Sequence, residues 1–140
     1  MDLDELARAY WAAPPYDDHD HSDGFEKHPF DQIQDLQLDG TDEQLTAMLR
    51  ALALSAATPA QLASIGDQWI ASLEYKFDAE GDTGKSLVLL RETGLDAETI
   101  TAVLAGFDRG WLRSMGAADI LSGVLAPQQI AELLESDSVR

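Results

Sequence analysis

The sequence predicts an all-α protein, and three observations carry that expectation. Apolar residues recur at helical spacing through almost the whole chain. Two Thr-x-x-Gln patterns have the form of capping boxes at helix starts. No stretch alternates apolar and polar residues with the period of two that a half-buried strand requires. Short connections favour antiparallel neighbours, so the expected architecture is a compact bundle or short stack of antiparallel helix pairs, with about six to eight helices in a single domain over 1–140.

The elements follow in order. Leu3, Leu6, Ala7, Tyr10 and Trp11 fall at i, i+3, i+4, i+7 and i+8, one stripe of a first helix. Asp2 and Glu5 suit its N-terminus, where unpaired N–H groups favour carboxylates. Pro14-Pro15 stops it, and residues 14–30 read as a polar, acidic loop that contains every histidine. DQIQDLQL, residues 31–38, is a short helical candidate. Thr41-x-x-Gln44 then opens a helix burying Leu45, Met48, Leu49 and Leu52. Thr58-Pro59-x-Gln61 opens another, with proline at a favoured first position, presenting Leu62, Ile65, Trp69, Ile70, Leu73 and Phe77. Further stripes are Leu87/Leu90, Ile100/Val103/Leu104/Phe107, Trp111/Leu112/Met115 and Ile120/Leu121/Val124. Ile130/Leu133/Leu134 close the chain after a start at Pro127. No repeat of fixed length emerges.

Charge is the unusual feature of the composition. The 140 residues carry 26 acids against 9 Lys and Arg, a formal net charge of −17, while the apolar share of 45% suffices for a core. The acids are unevenly placed. Residues 1–43 hold thirteen acids and two bases, net −11; residues 44–140 hold thirteen acids and seven bases, net −6. Such a field repels nucleic acid and anionic membranes and attracts basic partners. Without cysteine there is no disulfide, thiolate metal site or cysteine nucleophile. The start, MDLDELARAYW, lacks the basic and apolar regions of a signal peptide, and no apolar run nears the roughly 20 residues of a membrane helix. The expected location is the cytoplasm.

Three motifs invite a chemical reading. AEGDTGKS, residues 79–86, ends like a Walker A loop, but Ala79 stands where the pattern requires glycine. A helical stripe ending at Phe77 precedes it where a P-loop needs a buried strand, and Glu80 and Asp82 would lie beside the phosphates. A loop between helices, turning at its glycines, fits better. LVLLRETGLDAETITAVLAGF, residues 87–107, resembles a bacterial helix-turn-helix, with Gly94 at the turn and a second helix from Asp96. That resemblance implies a helix reading the major groove. Asp96 and Glu98 open it, however, and it has no Lys or Arg to neutralise phosphates; only Arg91, Arg109 and Arg113 lie nearby. An ordinary helix pair is the better reading.

The third motif is YDDHDHSDGFEKH, residues 16–28. His19, His21 and His28 stand among carboxylates that could ligate a metal. The calcium-loop pattern fails, because histidines occupy its first and third positions and Phe30 its twelfth. A solvated acidic loop is expected, with no metal site and no cofactor. Hydrolytic signatures are lacking: there is neither G-x-S-x-G nor H-E-x-x-H. Asp67, Glu74 and Asp78 read as hydrated carboxylates on a helix surface. Trp11, Trp69 and Trp111 each fall within an apolar stripe and read as core residues.

LARAYW, LTAMLRALALSA and ASIGDQWIASLEYKF together resemble the plan of an uncharacterised bacterial family of small, acidic helical proteins. In that family a Leu/Ala-rich helix precedes a Gly-containing helix with a leucine–glutamate pair. Leu73-Glu74 after Gly66 is the nearest match, and the likeness spans residues 1–77. It implies a small bacterial helical protein and no particular activity.

The function expected from these readings is non-enzymatic. An acidic binding protein would engage and inhibit a basic protein partner, most concretely as an immunity protein against a nuclease-like toxin. Asp17, Asp18, Asp20, Asp23, Glu26, Asp31 and Asp35 are the candidate partner-binding residues, with complementary charge steering association. Nucleic acid and membrane are not expected partners. The alternatives are a transcriptional regulator using residues 87–107 and a structural adapter or dimer-forming protein; the oligomeric state is left open.

Overall fold

The computed structural model describes residues 3–12 and 29–135 of the chain. The described residues are all-α, as the apolar spacing predicts, and contain no strand. They fall in two compact units, within Met1–Ala56 and Ala57–Arg140.

The first unit packs three helices: α1 (Leu3–Ala12), α2 (Pro29–Asp39) and α3 (Asp42–Ser55). The helical candidate at 31–38 is thus real and starts two residues earlier, at Pro29, a residue whose fixed φ suits a first helical position. The rest of the segment read as a polar loop lies outside the described residues. Leu6, Ala7, Leu45, Met48, Leu49 and Leu52 are buried, on the faces the spacing assigns to the core, and Ile33 of α2 is buried as well. The capping box at the start of α3 forms in full. Thr41 Oγ1 accepts from the Gln44 N–H at 3.1 Å, and Gln44 Oε1 accepts from the Thr41 N–H at 2.9 Å.

A specific hydrogen bond joins α1 to α3. The Trp11 indole N–H donates to the Leu52 carbonyl at 3.0 Å. Leu52 lies in the last turn of α3, where carbonyls have no partner within the helix. Trp11→Phe keeps the apolar ring and strands that carbonyl. We expect a loss of about 1 kcal/mol, read from the urea midpoint.

The second unit begins with α4 (Pro59–Ser64), a π-helical segment (Ile65–Ile70) and α5 (Ala71–Ala79), which run on without a break. α6 (Lys85–Glu92), α7 (Ala97–Leu104), α8 (Arg109–Ser114), α9 (Ala117–Ile120) and α10 (Pro127–Glu135) follow. Thr58 and Gln61 form the second capping box. Buried residues in the long helix recur every four: Ile65, Trp69, Leu73 and Phe77 on one line, Gly66, Ile70 and Glu74 on the next. Each step of four overshoots an α-helical turn by about 40°, so the two lines would wind out of the core. The wider π turns offset that drift and hold both lines inward.

The same segment makes a very close helix contact. A Cβ on Gly66 would stand 2.0 Å from the Val103 carbonyl oxygen, and one on Gly106 would stand 2.3 Å from that of Ala63. Moving three residues back along the first helix matches moving three forward from Val103, the register of antiparallel segments. Two glycines therefore let α4 and the π segment lie against α7 nearly backbone to backbone. α7 also packs on α10, whereas α6 packs on α5 and α9.

Candidate functional site

Three places in the described residues bring polar groups together. The first is the turn that resembles a phosphate loop. It connects α5 to α6, helix to helix, and its chain reversal uses Gly81 at φ 87° and Gly84 at φ 90°. Glu74 is the surprise. Its side chain is fully buried, not hydrated as the sequence reading has it, and it reaches the first turn of α6. Its carboxylate accepts from the Gly84 N–H at 2.7 Å, the Ser86 N–H at 3.3 Å and the Ser86 hydroxyl at 2.8 Å. The Lys85 N–H donates to the Asp82 carbonyl and that of Leu87 to Gly84, so the opening N–H groups of α6 are all satisfied. The donors that would cradle a phosphate in a nucleotide enzyme hold a carboxylate of the chain itself.

The positions around the turn fit that role. A Cβ on Gly84 would sit 2.9 Å from Ile120 Cδ1 and 3.0 Å from the Met115 carbonyl, so this position needs glycine for space as well as for φ. The Lys85 ammonium lies over the Phe77 ring at 4.9 Å. Asp67 and Asp78 are exposed, as read, and Asp78 accepts a hydrogen bond from the Thr83 hydroxyl.

The second place is the helix-turn-helix-like stretch. Gly94 turns at φ 77°, Leu95 is buried and Asp96 caps α7, accepting from the Thr99 N–H at 2.8 Å. Within α7 only Glu98 is exposed. The three flanking arginines are turned onto carbonyls in the last turns of helices, where cations are favoured. Arg91 donates to Ile120 and pairs with Glu92 at 3.2 Å; Arg109 donates to Leu104; Arg113 donates to Leu134. Hydrogen bonding to Thr99, through its side chain first and then its backbone, holds the Asp96 carboxyl below the usual carboxylate range. A depressed folded-state pKa gives stability that is present above the ordinary aspartate range and is lost as pH falls through the folded value. The gap in melting temperature between the native chain and Asp96→Ala should therefore be widest near neutrality and narrow on acidification to about pH 3, as thermal melts would read. A shallow cleft of about 350 Å³ lies between α7, α8 and α10, with Glu98, Arg109 and Glu132 around Leu133 and Ala105.

The third place is the outer side of α2. Of the seven carboxylates singled out from the sequence, Asp31 and Asp35 are described; Asp17, Asp18, Asp20, Asp23 and Glu26 lie outside the described residues, as do His19, His21 and His28. Asp31 is half-buried and Asp35 exposed, one turn apart. Leu38 continues the line at i+7 and is 63% exposed, and Asp39, Asp42 and Glu43 follow it. Ile33 and Gln37 take the inward side. The sequence reading did not single out Leu38, although its place on the Asp31–Asp35 line signals it. Among the described residues no group of His, Asp or Glu is placed to hold a metal ion, and no helix is long and apolar enough to cross a membrane. Comparison with family models, curated proteins and solved structures found no match to the chain.

Proposed function

We propose that the chain is a non-enzymatic acidic protein that engages and inhibits a basic protein partner, most concretely an immunity protein against a nuclease-like toxin. One observation supports this reading above the others. The outer side of α2 carries an exposed leucine on a line of carboxylates, Asp31, Asp35, Leu38 and Asp39, continued by Asp42 and Glu43. Carboxylates steer a cationic surface into place and suppress polyanionic competitors. Charge alone gives rate more than residence, which needs an apolar anchor that is desolvated on contact. Leu38 supplies that anchor.

Paired capture tests the reading. Native protein and an Asp31→Asn, Asp35→Asn, Leu38→Ser, Asp39→Asn variant are immobilised and exposed to extract of the producing cell at low ionic strength. The native protein should retain a basic protein that the variant loses, with both proteins equally helical by circular dichroism. Equal retention on both surfaces, or retained nucleic acid, would speak against it.

A further inference from the structure

The surface of the second unit carries an inference independent of the proposed partner. We infer that the fold is conditional on ionic strength: repulsion between surface carboxylates withholds stability in dilute salt, and mobile cations of the solution restore it. Acids and bases are placed unequally. Among the described side chains sixteen of eighteen carboxylates are exposed, but only three of seven lysines and arginines. The contrast is sharpest within Ala57–Arg140, where ten carboxylates are exposed against one cation, Arg113. The half-buried cations there have other work. Arg91 and Arg109 donate to the Ile120 and Leu104 carbonyls, and the Lys85 ammonium lies over the Phe77 ring. Net charge along the chain puts the larger excess in residues 1–43, so the negative surface of the second unit emerges only with burial.

Like charges spread over a compact body repel one another, and unfolding lets them move apart. The solution sets the reach of that repulsion, about 30 Å at 0.01 M salt, about 10 Å at 0.1 M and about 3 Å at 1 M. In the most dilute case each carboxylate feels others across its whole unit; in the most concentrated it feels its nearest neighbours alone. Among the described residues no group of His, Asp or Glu is placed to hold a metal ion. The cations act by diffuse screening, and their identity should matter little.

The experiment is a series of thermal melts of the full chain in potassium chloride, from about 0.01 M to about 0.5 M. Choline chloride, whose bulky cation a carboxylate does not coordinate, is run in parallel. A variant carrying Asp67→Asn, Glu80→Gln, Asp82→Asn and Asp119→Asn removes four exposed charges from the second unit. None of the four lies on α2, so the partner test is left untouched. The native melting temperature should rise by about 5 °C or more across the series, equally in both salts. The variant should melt above the native chain in the most dilute salt, and its rise should be about half as large or less. A smaller native rise, or a fall, would overturn the inference. So would a rise confined to potassium, the mark of a coordinated ion. A variant that melts below the native chain in dilute salt, or keeps the full salt response, would overturn it as well.

Discussion

Gly66→Ala should destabilise the protein by about 3 kcal/mol or more, read as a fall in the urea midpoint. Two effects oppose each other at this position. Alanine is the better helix former by about 1 kcal/mol, so intrinsic preference alone predicts a gain. The new methyl, however, would stand 2.0 Å from the Val103 carbonyl oxygen and 3.0 Å from its carbon. Those are backbone atoms of α7, so relief requires moving a helix, and steric overlap outweighs propensity. Gly123 provides the control. Nothing lies within 4 Å of a Cβ there, and Gly123→Ala should change stability by at most about 0.5 kcal/mol. Should Gly66→Ala match or exceed the native midpoint, the close approach of the π segment to α7 would be refuted.

Glu74→Ala should have an effect of similar size, about 3 kcal/mol, from a different cause. It leaves the Gly84 N–H, the Ser86 N–H and the Ser86 hydroxyl without their acceptor in a buried place. Glu74→Gln retains one acceptor oxygen but brings an N–H₂ group towards donors, and should lose less. Ser86→Ala removes one of the three bonds and should lose about 1 kcal/mol. The order Ala, then Gln, then the serine variant is the expected result of equilibrium unfolding. Against a total of about 5–15 kcal/mol for a domain, the alanine substitution removes a large share. A surface carboxylate would give three values near zero.

The fold was legible where one rule governed each segment. Helical spacing and two capping boxes located α3 and α4, and the buried faces of α1, α3 and α7 follow from periodicity alone. What escaped was set by distant partners. The stripe from Ile65 to Phe77 does repeat every four residues, a period that suits neither an ideal α-helix nor a strand, and the π segment is what accommodates it. Gly66 and Gly106 carry no local signal of their shared role, because each faces a carbonyl some forty residues away in the chain. Glu74 looked like any helix-surface acid because its acceptor role depends on a turn ten residues later. The carbonyl partners of the arginines beside the helix-turn-helix-like stretch carry no local signal either, lying 29 residues from Arg91 and 21 from Arg113. For the candidate interface, the sequence pointed to Asp31 and Asp35, while the exposure of Leu38 between flanking acids emerged only with α2 in place.

The association rate between the captured basic partner and the chain, measured against ionic strength, tests the central claim most directly. Native protein should associate fast at low salt and slow steeply as salt is raised, while the variant at Asp31, Asp35, Leu38 and Asp39 should start about tenfold or more slower with a flatter dependence. Equal rates and equal salt slopes for the two proteins would contradict it.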